Sequence, residues 1–266
     1  MKTRPIGIFD SGVGGLTVVR ALINRLPRES FLYYGDTAHV PYGSKTREEL
    51  FKYARDIITF LLSRGVKTIV VACGTHSSVT LPEIESTCPV PLLGVVKPGA
   101  RAAVRTSRNG KIGVIATQAT VNSRSYTINI NSLAPTYEVL AAACARFVPL
   151  VEAGRLSGAE TRQAIREYIE PLLMEGIDTL VMGCTHYPFL APVIGEFTGE
   201  KVALVDPAME TVEELAEILA HQKILNDTQV KGSREFYVSG NEESFYRVGR
   251  MLLGDVIEKV EKIDLD

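Results

Sequence analysis

The chain has 266 residues, 29 basic against 31 acidic, giving a formal net charge of −2, with 45% hydrophobic and 23% charged residues. That is an ordinary globular composition, long enough for one large or two average domains, and its charge balance excludes a general nucleic-acid binder, which needs a lysine and arginine excess. No apolar run approaches the roughly 18 residues of a membrane span and the first is too short for a signal-peptide core, so a cytoplasmic protein with its four cysteines as thiols is expected.

Short apolar runs alternate with helical patterns along the chain. Ile6-Gly7-Ile8-Phe9 predicts a buried strand, stopped by the turn Asp10-Ser11-Gly12-Val13-Gly14-Gly15, and residues 16–26 predict a helix. A second strand is expected at 31–34. Residues 47–64 place Leu50, Ala54, Ile57, Ile58, Leu61 and Leu62 on one helical face, and Gly65 ends that helix. Strands follow at 68–72, 91–95, 112–115, 179–182 and 202–205. Helices are expected at 79–85, 98–105, 160–175, 210–220 and 243–253. Strands that are nearly all apolar, alternating with helices, predict an α/β protein with mainly parallel sheets flanked by helices.

The sequence also repeats itself. KTIVVAC, ending at Cys73, matches DTLVMGC, ending at Cys184. Thr185-His186 follows the second cysteine directly, and Thr75-His76 follows the first after one inserted glycine, Gly74. Ile6 to Phe9 before Asp10-Ser11 likewise matches Ile112 to Ile115 before Ala116-Thr117. Two similar lobes related by a pseudo-twofold are expected, one from residues 1–95 plus 208–266 and the other from 96–207.

In open α/β sheets ligands bind beyond the carboxyl ends of the strands, where Cys73 and Cys184 fall. A helix starting after each cysteine would point N–H groups at the sulfur and favour its thiolate form. Two cysteines in matching places therefore suggest chemistry, whereas Cys88 and Cys144 are expected to be packing residues. The glycine-rich turn lacks the lysine of a phosphate-binding loop and the third glycine of a dinucleotide fingerprint, so no nucleotide cofactor is expected. It could still offer N–H groups and Ser11 to an anion. A zinc site from Cys73, His76, Cys184 and His186 would need a better spacing than Cys-x-His, and no metal is expected.

The motifs Asp10 to Thr17, Gly35-Asp36-Thr37 with Pro41-Tyr42-Gly43, Ala72-Cys73 and Gly183-Cys184-Thr185-His186-Tyr187-Pro188 resemble those of the glutamate racemases. Pro98 to Ala103 and Pro149 to Glu152 fit the same family, so the resemblance covers nearly the whole chain. It implies a cofactor-independent racemase that supplies D-glutamate for peptidoglycan, usually as a homodimer, with the site between two α/β lobes. It implies Cys73 and Cys184 as the paired catalytic thiols, helped by Asp10, His186 and Glu152. Its substrate contacts carry over to Asp10, Ser11, Tyr42, Gly43, Thr75, Thr117, Thr120, Thr185 and His186, and the backbone N–H at Gly74 is expected beside them.

One position departs from that family. Gly74 stands where an asparagine usually lends its amide to the substrate, and His76 replaces a usual alanine. Two other readings therefore stay open: a racemase or isomerase for another acidic amino acid or diacid, and a non-catalytic binding or regulatory relative. A pair of matched thiols favours catalysis, because racemisation needs a base on each face of Cα.

Overall fold

In the computed structural model, which describes residues 1–265, the first apolar run becomes β1 (Ile6–Asp10), buried along its whole length. β2 (Phe31–Gly35), β3 (Thr68–Val71), β4 (Leu92–Gly94), β5 (Lys111–Ala116) and β6 (Glu138–Ala143) follow. β7 (Thr179–Met182), β8 (Ala203–Val205), β9 (Arg234–Val238) and β10 (Glu261–Lys262) complete the set among the described residues. They form two sheets, ordered β10-β9-β2-β1-β3-β4 and β6-β5-β7-β8, and all their pairings are parallel. The fold is α/β, with helices flanking both sheets.

The repeat in the sequence is a repeat in register. Ile6 of β1 lies opposite Thr68 of β3, and Ile112 of β5 lies opposite Thr179 of β7. Phe9 faces Val71 as Ile115 faces Met182. The order β2-β1-β3-β4 therefore recurs as β6-β5-β7-β8, and Cys73 and Cys184 leave equivalent strands at equivalent ends.

Local chemistry explains the helices that frame these strands. The helix Arg47–Ser63 opens with a capping box, in which Thr46 and Glu49 satisfy each other's backbone N–H groups. Asp206 caps Pro207–His221 through the Ala208 N–H, and Asn241 caps Glu242–Leu253 through the Ser244 N–H. Pro207–His221 packs on both Leu16–Arg25 and Val96–Thr106, so one helix ties the surroundings of the two sheets together. The largest apolar cluster accordingly draws on both, from Ile6, Ile8 and Tyr33 to Ile115, Leu180 and Met182.

Several elements differ from the sequence-based expectation. The helix expected over 79–85 starts earlier, as Gly74–Val79 followed by Leu81–Ile84, so it begins on the residue after Cys73. β6, β9 and β10 were not expected, nor were the helices Gln118–Ser123, Ser125–Leu133, Phe147–Glu152 and Ala191–Thr198. β6 is a partly exposed edge strand and β9 begins with two charged residues, so neither presents a continuous apolar run.

Candidate active site

The carboxyl ends of β1, β3, β5 and β7 converge. Asp10, at the end of β1, accepts hydrogen bonds through Oδ2 from the N–H groups of Gly12 (3.1 Å) and Gly15 (3.0 Å). Its Oδ1 accepts one from the Thr185 hydroxyl at 3.0 Å, from the turn after β7. Burial raises the Asp10 pKa above the usual carboxylate value, against the opposing effects of the His186 charge and these hydrogen bonds.

The glycine-rich turn does serve anions, and they belong to the protein. Besides Asp10 it holds Glu152, whose Oε1 accepts the Val13 N–H at 2.9 Å. A Cβ at Gly12 would collide with the Glu152 carboxyl group, and one at Gly14 with the His186 ring. The Tyr33 hydroxyl fixes the turn from behind by donating to the Gly12 carbonyl at 2.6 Å. Ser11 is buried in the same turn.

Cys184, His186 and Glu152 form a connected line. The Cys184 sulfur lies 3.7 Å from His186 Nδ1, and His186 Nε2 lies 2.6 Å from Glu152 Oε1. Burial opposes a charged imidazole, but the hydrogen bonds and charges of Cys184 and Glu152 outweigh it, and the His186 pKa stands well above its ordinary value. The buried ring lies between a sulfur and a carboxylate, and both favour its charged form.

Cys73 has a different environment. Burial, then the nearby Asp10 carboxylate, push its pKa up, and the N–H groups of His76 and Thr75 only partly offset them. The expectation that a helix end would favour thiolate at this residue is therefore overturned: desolvation wins and Cys73 is a thiol.

Hydroxyls complete the cluster. Thr75 Oγ1 and Thr117 Oγ1 lie 2.9 Å apart, and Thr117 Oγ1 lies 3.1 Å from Thr120 Oγ1. Gly43 sits against the Thr117 side chain. Beside it, buried Tyr42 donates to Asp36, which also accepts from Ser239 at 2.6 Å and contacts His39 Nδ1 at 2.8 Å. Asp36 and Ser239 were not among the expected site residues. Asp36 lay in a quoted motif, but Ser239 joins it from far along the chain and carries no local signal.

His76 does not mirror His186. Its Nδ1 pairs with the Thr80 hydroxyl at 3.1 Å, and its ring meets Phe9 and Tyr42 edge-on. Burial pushes its pKa down to about 3, so it is neutral. One histidine is turned to Thr80 and the other lies between Cys184 and Glu152, so the two serve different partners. Among the described residues no group of three or more His, Cys, Asp or Glu is placed to hold a metal ion.

Comparison with known proteins places the chain in a family. The family model for Asp/Glu/hydantoin racemases matches residues 9–215. The chain is 44% identical over 266 residues to the glutamate racemase of Geobacter metallireducens, covering 100% of this chain and 98% of that one. A glutamate racemase isoform from Bacillus anthracis superposes with a TM-score of 0.94 at 37% identity, covering 100% of this chain and 98% of that chain. The glutamate racemase of Francisella tularensis, solved in complex with D-glutamate, gives 0.92 at 35% identity over 100% and 99% of the two chains. Over its full length, then, the chain belongs to the Asp/Glu/hydantoin racemase family and stands with its glutamate racemases.

Proposed function

We propose that this chain interconverts L- and D-glutamate by moving the Cα proton between Cys73 and Cys184, on opposite faces of the substrate. The observation that carries the reading is the equivalent place of β3 beside β1 and of β7 beside β5, together with the close approach of Gly74 to the backbone of Gly183 and Cys184. One thiol, one thiolate and two faces are what a two-base racemisation requires.

In the L-to-D direction the Cys184 thiolate takes the Cα proton, its electron pair stays on the substrate as a carbanion, and the Cys73 thiol returns a proton to the other face. The products are D-glutamate, a Cys184 thiol and a Cys73 thiolate. The D-to-L direction runs the same steps in reverse. The neutral thiol at Cys73 and the imidazolium of His186 beside Cys184 suit a resting form ready for L-glutamate. Glu152 holds His186 in its charged form, and Asp10 holds Thr185 at the edge of the site.

The carbanion needs no cofactor if donors meet its carboxylate, where the charge accumulates. The Ser11 and Thr75 hydroxyls and the N–H groups near Gly74-Thr75 and Thr185-His186 are those donors, with Tyr42, Gly43, Thr117 and Thr120 completing the binding surface. On this reading two lobes, 1–95 with 208–266 and 96–207, close on the substrate. The protein acts in the cytoplasm as a homodimer and supplies D-glutamate for peptidoglycan.

The test is a racemisation assay in deuterated solvent on the wild type, Cys73→Ser and Cys184→Ser. The wild type should place solvent deuterium at Cα of its product, and each serine variant should lose net racemisation. Full activity in either variant refutes the two-thiol mechanism. Assay of L- and D-aspartate alongside separates glutamate from a shorter acidic substrate.

A further inference from the structure

Residue 74 is the point at which the two cysteine turns meet. Gly74 opens the helix Gly74–Val79 and lies against the backbone at the end of β7. A Cβ built on it would fall well inside the 3.0 Å that real Cβ atoms keep from the Gly183 carbonyl oxygen, and 3.7 Å from Cys184 Cα. The obstacle is main chain, and the peptide just before it is anchored: the Gly183 N–H donates to the Ile115 carbonyl at 2.7 Å. It cannot swing aside as a flexible side chain would.

Nothing in the local backbone asks for glycine here. Gly74 is not among the glycines with positive φ. It occupies a helical position, where alanine is the better residue. What the position requires is the absence of a Cβ. The contact is also bracketed by bonds between the two sheets, Thr75 to Thr117 at 2.9 Å and Thr185 to Asp10 at 3.0 Å. These bonds draw the strand ends together, and Gly74 sets how far they can come.

We propose that Gly74 is a positioning residue that fixes the closed separation of the Cys73 and Cys184 turns, and so the reach of both sulfurs to the Cα of a small acidic amino acid. The inference rests on the two-thiol reading. Each sulfur must reach one face of the same carbon, so any side chain at 74 lengthens both proton transfers by holding the turns apart. A misplacement of about 1 Å can cost on the order of a hundredfold in rate. The asparagine usual in the resembled family would carry the same Cβ, so in this chain it separates the turns instead of restoring a substrate contact.

The test is Gly74→Ala, with Gly74→Asn beside it, assayed on both enantiomers of glutamate. Gly74→Ala should lower kcat by about tenfold to a hundredfold in both directions, with KM changed less than about threefold. Its Tm should fall by no more than a few degrees, because the better helix propensity of alanine offsets part of the strain at the displaced contact. The isotope effect on kcat with Cα-deuterated glutamate should rise as proton transfer becomes the slow step. Gly74→Asn should be no better than Gly74→Ala. A kcat within twofold of wild type with an unchanged isotope effect overturns the proposal. So does a loss of activity that merely follows a fall in Tm. Failure of the underlying reading would show separately, as a wild type that exchanges no Cα proton of glutamate with solvent.

Discussion

The hydroxyl of Thr75, from the turn after β3, meets the hydroxyl of Thr117, at the end of β5, at 2.9 Å, and so joins the two sheets at the site. Thr185 and Asp10 make the near-equivalent junction at 3.0 Å between the turn after β7 and the end of β1. The repeat thus builds a site in which each half completes the other.

That junction is measurable as a coupling. Thr75→Ala and Thr117→Ala each remove one partner of a buried hydrogen bond, worth about 0.5–1.5 kcal/mol, or roughly twofold to tenfold in kcat/KM. The double variant should lose little more than the worse single one, because both remove the same bond. Simple additivity in the double-mutant cycle would show that the two hydroxyls act independently.

Glu152→Gln should change the pH dependence of racemisation. The His186 pKa is raised, so the stability and charge its partners supply are complete below about pH 6.5 and are lost as pH rises through the raised value. Without the Glu152 charge that loss begins at lower pH. The alkaline limb of kcat/KM should move acidward. Profiles measured in both directions check this, and an unmoved limb would remove Glu152 from the proton balance.

His76 predicts an acid sensitivity of the opposite sign. Its Nδ1 donates to Thr80, whose hydroxyl is committed to the His76 carbonyl at 3.2 Å, and no hydrogen-bond partner meets its buried Nε2. Its folded pKa of about 3 lies below the unfolded value, so the unfolded chain binds more protons and stability falls as pH drops from about 6.5 to about 3. One such group contributes a slope of at most about 1.4 kcal/mol per pH unit. His76→Asn keeps a donor for Thr80 and cannot titrate, so urea unfolding across this window should show a shallower decline. A slope equal to the wild type's would assign the acid loss to other groups.

At the opposite end of β3 from Cys73, Lys67 and Glu29 form an ion pair at 2.6 Å with both side chains buried. Lys67 also donates to the Lys2 and Ile224 carbonyls at 2.7 and 2.9 Å. Lys67→Met strands the Glu29 charge and should destabilise the fold by about 3–5 kcal/mol. Adding Glu29→Leu should recover much of that loss. Denaturant midpoints check the stability, and kcat of the folded fraction should stay near wild type, because the pair lies far from the thiols along the strand.

The sequence made the central strands legible because β1, β3, β5 and β7 are buried on both faces and so read as unbroken apolar runs. β6 and β9 escaped because an edge or a charged start breaks that pattern. Asp10, Cys73 and Cys184 were legible because they end strands at glycine-rich or repeated motifs. Ser239 was not, since its bond to Asp36 joins residues remote in the chain and depends on β9 reaching the first sheet. The charge states were hidden too. His76 and His186 share a motif, yet desolvation pushes the His76 pKa down while Cys184 and Glu152 outweigh it at His186 and raise that pKa.

The order of the strands along the chain governs how the molecule assembles. β5 to β8 occupy one continuous stretch, whereas β2 finds its partner β9 only when Arg234 comes opposite Phe31. The second sheet can therefore fold from neighbouring segments, while the first keeps the edge of β2 unpaired until nearly all of the chain has been synthesised. Closing that long loop is the slow, high-contact-order event. An unpaired strand edge is a template for aggregation, so the hazard lasts as long as β9 is missing. Truncation before Arg234 would leave the residues that carry both cysteines intact in sequence and still expose that edge for good.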